Sequence, residues 1–268
     1  MRWLERLARR PASSGVPDAS DVAAQMAAAY DAASRNDYAA ALDIWTPLAH
    51  AGVARAQNNI GACFSEGLGV ERDVALAARW LSLAAQAGDP VGQRNLAAAH
   101  FKGEGVEQDY ARAAELYRAA AEQDDAPAQD MLSWMLLEGE VMTPDFAEAK
   151  RLAEAAAAQG IAASMTRLGM IFHNALGVER DADAAAAWWR KGAALGDADA
   201  QAMLGAALHL GSGVARDPVA ALAWLLRAQN GGSPLAAPFL AAARAALAPA
   251  DAAEAERHAT APTPEATP

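Results

Sequence analysis

Apolar and polar positions recur along this chain with a period of 36 residues. An aspartate stands at the same place in six consecutive repeats, without insertion or deletion: Asp37, Asp73, Asp109, Asp145, Asp181 and Asp217. Four residues after each aspartate comes an alanine, and seven after it a large apolar residue. Self-similarity at a fixed period of this length is the signature of a repeat architecture. The pattern therefore predicts an array of six units over residues 37–247.

Each repeat is predicted to be a helical hairpin. The aspartate can cap a helix by accepting hydrogen bonds from free backbone N–H groups, and Pro218 follows Asp217 where a proline suits the first turn. Fifteen residues after the aspartate comes a glycine, typical of the left-handed residue that closes a helix. A second helix then begins, as at Asp89-Pro90, and ends in a G-x-G-V loop. Pro47 lies inside the first opening helix and is expected to kink it or end it early.

At this point the residues resemble a known family. The run from Ala56 to Asp73, AQNNIGACFSEGLGVERD, followed by AARW and AAQAG, closely resembles the Sel-one-like (Sel1-like) repeat, a relative of the tetratricopeptide repeat. The resemblance covers roughly residues 37–247 and implies an all-α fold, a right-handed superhelical α-solenoid of 36-residue helix-turn-helix repeats. The third repeat departs from the pattern, because Asp124 replaces the turn glycine and one loop glycine is lost between Gly139 and Pro144.

The ends of the chain differ from the array. Residues 1–20 are a basic segment and linker, residues 21–36 are predicted to form a capping helix, and residues 248–268, rich in Ala, Pro, Glu and Thr, are expected to be disordered. The first ten residues, MRWLERLARR, hold four arginines with Trp3, Leu4 and Leu7 on one side. Three interpretations stay open for them: a poorly ordered terminus, contact with an anionic membrane surface, or docking onto the array.

Charge and composition exclude several classes of function. The 268 residues include 33 acidic and 22 basic side chains, a net charge of −11, which argues against binding nucleic acid without sequence preference. No apolar run is long enough to span a membrane, and residues 1–10 are too weakly apolar for a secretory signal. We therefore expect a cytoplasmic protein. The excess of arginine over lysine and the many alanines indicate a bacterial source.

Stacking of the hairpins is expected to create both a core and a binding surface. A single hairpin cannot bury its apolar face, so neighbouring repeats must pack together. Trp80, Trp188 and Trp224 are predicted to fill the spaces between consecutive hairpins; an aromatic ligand box is the alternative. A curved array of this kind offers an elongated concave groove, which suits extended or helical segments of another protein.

Charged residues form two rows of alternating sign on the first helices. Because stacking brings equal positions of neighbouring repeats together, we predict cross-repeat ion pairs, although a solvated face is the alternative. The rows are also candidate contacts for a partner. Their members are Arg79, Glu115 and Arg151 in one row and Arg118, Glu154 and Arg190 in the other.

Candidate catalytic chemistry is sparse. His173 and His209 share one phase and should be neighbours, but no third ligand accompanies them at a metal-binding spacing. Cys63, the only cysteine, falls in an apolar column and is expected to be buried. The Gly-x-Gly loops follow helices, whereas dinucleotide-binding glycines follow a strand. We therefore expect no catalytic residue, no cofactor and no metal.

The sequence thus favours a non-enzymatic scaffold or adaptor that binds a protein or peptide partner. The resemblance implies the same, since Sel1-like members typically mediate protein complexes in signalling, envelope biogenesis and protein quality control. Two alternatives remain. One is an enzyme of the β-lactam or cell-wall-acting type seen among cysteine-rich relatives, although this chain lacks their paired cysteines. The other is a membrane-surface organiser using residues 1–10.

Overall fold

The computed structural model describes residues 18–262. This part of the chain is all-helical and contains no β-strand. The helices, in chain order, are α1 Ala19–Ser34, α2 Tyr38–His50, α3 Ala54–Glu66, α4 Val74–Gln86, α5 Pro90–Lys102, α6 Tyr110–Ala121, α7 Ala126–Glu138, α8 Phe146–Ala158, α9 Ala162–His173, α10 Ala182–Ala194, α11 Ala198–Leu210, α12 Pro218–Asn230, α13 Ala237–Ala245 and α14 Pro249–Thr260, with a 3₁₀ turn at Pro234–Ala236. The predicted alternation of first and second helices is confirmed. The predictions for residues 1–17 and 263–268 lie outside the described residues.

Aspartate caps start the first helix of every repeat, as the sequence predicted. In each of them one carboxylate oxygen accepts a hydrogen bond from the backbone N–H three residues further on, at 2.9–3.1 Å. Asp89 and Asp197 cap the second helices α5 and α11 in the same way, both at 2.8 Å. Each cap satisfies a donor that would otherwise lack a partner at the helix start. The period of 36 residues is therefore a period of helix starts.

Two kinds of glycine occur in the turns and loops between these helices. Gly88 follows α4 with φ +85°, and a side chain added there would meet nothing within 4 Å. Asp124 occupies the same place in the third repeat and also adopts a left-handed conformation, with φ +60°. Gly105 is different: it has φ +74°, and an added Cβ would lie 1.9 Å from the carbonyl oxygen of Val74. The second glycine of the loop is therefore required by close contact with the start of α4 as well as by its backbone conformation.

The chain divides into two compact halves, one within residues 1–128 and the other within residues 129–268. In the N-terminal half the core joins α1 to α4 through Leu42, Trp45, Ile60 and Phe64, all buried, with Met26 of α1 against them. Cys63 belongs to this core, which confirms its predicted burial. α1 thus covers the apolar face of the first hairpin.

The C-terminal half contains a series of smaller clusters, and two of the three predicted inter-repeat tryptophans pack against them. Trp188 packs against the cluster of α8 and α9, and Trp224 packs against the cluster of α10 and α11. Trp80, in the N-terminal half, is buried beside the residues of α2 and α3. Each tryptophan fills space against the preceding hairpin, so their role as inter-repeat core is confirmed.

Residues 249–260 form α14, where the sequence predicted disorder. Ala255 of this helix is fully buried in a cluster with residues of α12 and α13. Arg227 of α12 donates hydrogen bonds to the carbonyl oxygens of His258 and Ala261, at 2.5 and 2.7 Å. The prediction relied on the scarcity of large apolar side chains, but alanine suffices where helices approach closely. α14 therefore covers the last repeat as α1 covers the first.

For Pro47 the sequence predicted either a kink or an early end of the first opening helix, and the early end is wrong. α2 continues through this proline to His50 and does not end before it. Pro47 is exposed, so the carbonyl that loses its helical donor lies on the solvent side.

Candidate functional site

Three members of the charged rows predicted on the first helices form ion pairs within their own helices. Glu115 pairs with Arg112 at 2.7 Å, and Glu154 pairs with Lys150 at 2.5 Å. Among the described residues, Arg79 does not pair with Glu115, and Arg190 does not pair with Glu154. Side chains three or four residues apart on one helix are neighbours, so these ion pairs form without any contact between repeats. The cross-repeat pairing predicted within each half is therefore not formed.

Arg151 and Arg118 are two further members of the charged rows. Arg151 pairs with Glu148, three residues earlier, at 3.5 Å. Arg118 is half-buried, in contrast to the other five, which are exposed. Exposed pairs of this kind contribute about 0–1 kcal/mol each, so these side chains are not essential for holding the fold.

Several ion pairs do join repeats, and the two shortest of the N-terminal half involve the second helices. Arg94 of α5 binds Asp125 before α7 at 2.8 Å, with only 26% and 7% of the two side chains exposed. Arg55 of α3 binds Asp89 before α5 at 2.7 Å. Burial alone would lower the pKa of Arg55, but the hydrogen bond and the charge of Asp89 outweigh it and raise that pKa. These pairs connect each repeat to the next.

Similar contacts continue through the C-terminal half. Asp130 of α7 accepts hydrogen bonds from Arg167 and Ser164 of α9. Asp197, before α11, accepts one from Thr166 at 2.7 Å. The partners are 31, 34 or 37 residues apart. Equal positions of neighbouring repeats lie 36 residues apart, so the sequence period did not reveal these partners.

A groove with a volume of about 410 Å³ lies in the C-terminal half, lined by α7, α9 and α11 together with the loops around them. Its apolar side chains are Trp134, Leu137, Met170, Leu176 and Leu235. Met170 and Leu235 are 36% and 39% exposed, so two large apolar side chains of the groove face solvent. A groove of this volume is in the usual range for binding pockets.

The charges of this groove are predominantly negative. Glu138, Asp197 and Asp199 line it, and among the described residues none of the three forms an ion pair. Arg167, the one cation in the lining, is already paired with Asp130. The groove therefore combines an apolar floor with three carboxylates whose charge is not neutralised by a neighbouring cation.

One sequence signal could have identified this groove. Trp134 and Met170 stand 25 residues after their aspartates, and the same column holds Ala62, Ala98 and Ala206 in the other repeats with a second helix. A smaller cavity of about 270 Å³ in the N-terminal half is lined at that column by Ala62 and Ala98. Replacement of alanine by large apolar residues in the third and fourth repeats thus marks the groove.

A further cavity of about 270 Å³ lies beside the C-terminal helix. It is lined by Trp224 and Arg227 of α12 and by His258 and Pro262. The Arg227 guanidinium stands 5.4 Å from the centre of the Trp224 ring.

Cys63 is buried, and His173 and His209 are partly buried. Burial raises the pKa of Cys63 to about 11, which keeps the thiol protonated near neutral pH. His173 packs against Trp189, with ring centres 5.4 Å apart. The helices that carry His173 and His209 contact each other, but no group of three or more potential metal ligands is found among residues 18–262. In that same range no helix is long and apolar enough to cross a membrane.

The fold and the repeat contacts define an all-α helical-repeat protein. A model of the Sel1 repeat matches five consecutive 36-residue segments, which together cover about two thirds of the chain: residues 54–89, 90–125, 126–161, 162–197 and 198–233. The chain belongs to the Sel1 repeat family. This family typically mediates protein–protein interactions.

Several solved structures are similar to this chain, and the first of them shows the same architecture. A Sel1 repeat protein from Oxalobacter formigenes is 26% identical with a TM-score of 0.78, and the match covers 91% of this chain and 99% of that one. The protective antigen c5321 of uropathogenic Escherichia coli, which has an SLR fold, is 24% identical over 89% of this chain and 68% of that one, with a TM-score of 0.44. The immunity protein Pa5087 from Pseudomonas aeruginosa is 23% identical over 77% and 78%, with a TM-score of 0.46. No curated protein matches the chain.

Proposed function

We propose that this chain is a non-catalytic scaffold or adaptor that binds a partner polypeptide in the groove of the repeat array. We place its role in the bacterial cytoplasm, in signalling or envelope-related regulation. The observation that carries the proposal is the groove of about 410 Å³ along α7, α9 and α11, where Met170 and Leu235 are exposed. Three consecutive repeats contribute to it, and an elongated surface of this kind suits a peptide segment more than a compact substrate.

The charged rows of the first helices are proposed as a second contact surface. Five of the six side chains are exposed, and the ion pairs described above are weak enough to be exchanged for pairs with a partner. The proposed contacts are Arg79, Glu115, Arg118, Arg151, Glu154 and Arg190.

Affinity capture from the native cell tests the proposal. The full chain carrying Met170→Asp and Leu235→Asp is compared with the unchanged chain and with the control Leu210→Asp, which alters an even more exposed leucine outside the groove. We expect the groove variant to lose specific partners that the control retains, while circular dichroism shows equal helicity. A third variant, with alanine at the six charged positions, measures the other surface separately. Capture that is unchanged in both variants would refute the assignment of the binding surface.

The enzymatic alternative has weaker support. Paired cysteines brace the cysteine-rich relatives, whereas the single cysteine of this chain, Cys63, is buried with a pKa of about 11. Turnover of a β-lactam by the purified chain, at a rate that Cys63→Ala abolishes, would favour the enzyme instead.

A further inference from the structure

The groove of the C-terminal half contains two carboxylates that the fold holds in place. Asp197 directly precedes α11, and its Oδ1 accepts hydrogen bonds from the Thr166 hydroxyl at 2.7 Å and from the backbone N–H of Ala200 at 2.8 Å. Asp199, in the first turn of α11, accepts a hydrogen bond at Oδ1 from the Ser233 hydroxyl at 2.5 Å. In the described part of the chain, the second oxygen of each carboxylate, Oδ2, accepts no hydrogen bond. Each Oδ2 can therefore accept one from a bound molecule.

The carboxylates also give the groove a net negative charge. Glu138, the last residue of α7, is exposed and adds a third carboxylate to the lining. Arg167 brings a positive charge, but Asp130 offsets it by pairing with this arginine. A cationic group that enters the groove therefore gains favourable electrostatic interactions without displacing a cation that the described residues already provide.

The apolar side chains of the groove lie beside these carboxylates. Met170 of α9 and Leu235 of the 3₁₀ turn are both exposed, and covering them contributes about 25 cal/mol per Å² of buried apolar surface. Leu235 stands two residues after Ser233, whose hydroxyl binds Asp199, so an apolar contact and an anionic contact adjoin each other. The volume of about 410 Å³ suits a few side chains of a peptide.

We infer that the groove binds a segment of the partner in which a large apolar side chain stands within a few residues of a lysine or arginine. The apolar side chain covers Met170 and Leu235, while the cationic group contacts the carboxylates. A segment with these two features satisfies the apolar surface and the charge at the same time. The inference rests on the proposed function, since it names the chemistry of the polypeptide that the same groove binds.

A library of random peptides, displayed on phage and selected against the full chain, tests the inference. We expect the enriched sequences to combine Leu, Met or Phe with a nearby Lys or Arg, and acidic sequences to be depleted. The enriched peptides should no longer bind the variant with Met170→Ala and Leu235→Ala, in which both replaced side chains are exposed. Enriched peptides that lack a basic residue or bind this variant equally well would overturn the inference, as would the absence of any enrichment.

Synthetic peptides then separate the charge from the apolar contact. The most enriched peptide is titrated by calorimetry beside a copy in which norleucine replaces each lysine or arginine, because norleucine keeps an apolar stem and lacks the charge. A chain with Glu138→Gln and Asp199→Asn retains the shapes of both side chains and loses two negative charges. We expect this variant to raise the Kd of the cationic peptide roughly tenfold or more, and to change that of the norleucine peptide less than about twofold.

A matched control removes the same number of charges elsewhere. Glu179→Gln and Asp183→Asn alter two exposed carboxylates of the same half that do not line the groove, and should change neither Kd. Raising the salt concentration should weaken binding of the cationic peptide and spare the norleucine peptide. Equal losses for the two peptides in the variant with Glu138→Gln and Asp199→Asn would refute the pairing with a cation.

Other occupants of the groove give different results. Sedimentation velocity would show a mean mass that rises with concentration, and falls back in the variant with Met170→Ala and Leu235→Ala, if a second copy of the chain occupied the groove. A small apolar amine such as hexylamine that binds as tightly as the selected peptide would indicate a site for small cations. Either result would overturn the assignment to a segment of a partner.

The outcome separates this inference from the proposed function. If the variant with Met170→Asp and Leu235→Asp loses its captured partners but the selected peptides are not basic, only the inference fails. If that variant changes neither capture from the cell nor peptide binding, both fail.

Discussion

Replacing the second glycine of a loop tests how closely that loop packs against the start of a neighbouring helix. Gly105 and Gly88 both have left-handed backbones, with φ +74° and +85°. They differ in their surroundings, since a Cβ at Gly105 would lie 1.9 Å from the carbonyl oxygen of Val74, whereas one at Gly88 would meet nothing within 4 Å. Gly88→Ala therefore measures the backbone cost alone, and Gly105→Ala adds a collision to it.

The expected magnitudes follow from this difference. A non-glycine residue in the left-handed region costs about 1–2 kcal/mol, and the stiffer unfolded chain recovers about 0.4–1 kcal/mol. Gly88→Ala should thus lower the free energy of unfolding by about 1 kcal/mol. The Gly105 contact is more than 1 Å shorter than the 3.0 Å that real Cβ atoms keep, and overpacking of this kind adds about 1–3 kcal/mol. The total for Gly105→Ala is about 2–4 kcal/mol.

Urea and thermal unfolding, followed by circular dichroism, provide the measurement. In a chain of this size 1 kcal/mol lowers the Tm by about 2–4 °C, so we expect that shift for Gly88→Ala and one of about 5–15 °C for Gly105→Ala. Gly213→Ala should repeat the larger effect, since its Cβ would lie 1.9 Å from the carbonyl oxygen of Ala182. Equal losses at Gly88 and Gly105 would show that close packing against α4 is not the reason for this glycine.

Three further predictions concern other positions. Ala175 has φ +56° where the equivalent residues are glycine. Ala175→Gly should therefore raise the free energy of unfolding in urea titrations by about 0.5–1 kcal/mol, because the relieved strain of about 1–2 kcal/mol exceeds the added chain entropy. A free energy of unfolding below that of the unchanged chain would contradict the strain. Cys63 should react with iodoacetamide at pH 8 roughly 100-fold more slowly in the folded chain than in urea, because its pKa is raised from 9.0 to about 11 and the thiolate is the nucleophile. The same shift means that its contribution to stability is complete below pH 9 and is lost as the pH rises through 11; equal reactivity in both states would refute the burial. Arg94→Met should destabilise the chain by about 1–3 kcal/mol, since it leaves Asp125, 7% exposed, without its cationic partner. Arg112→Met, in an exposed pair, should cost under about 1 kcal/mol. Thermal unfolding of the two variants compares them directly.

The repeated fold was predictable because its signals are local. An aspartate accepts a hydrogen bond from a residue three positions away, and a turn glycine closes the helix that precedes it, so both recur at the period of the sequence. Asp124 was identified in advance as a departure, and it keeps the left-handed backbone of the glycines that it replaces. The helix α14 was not predicted, because its packing depends on alanine, whose contribution is set by how near the next helix lies.

The candidate site was less accessible to sequence analysis. Charges at equal positions suggested cross-repeat pairs such as Arg79 with Glu115, but Glu115 reaches Arg112 on its own helix instead. The pairs between repeats join positions offset by a few residues from the period, as in Arg94 and Asp125. A fixed period reveals which positions are equivalent, and it does not reveal which side chains from different positions meet. The groove is formed by side chains from different positions of the repeat, on the three helices α7, α9 and α11.

The departures of the third repeat have a consequence for how the array comes apart. Asp124 precedes α7, the loop from Gly139 to Pro144 follows it, and the boundary between the two compact halves falls within α7. In a linear array each repeat is stabilised by its immediate neighbours, and unravelling can begin at the least stable junction. A protease cut in the loop from Gly139 to Pro144 is therefore expected to release fragments that still hold intact hairpins.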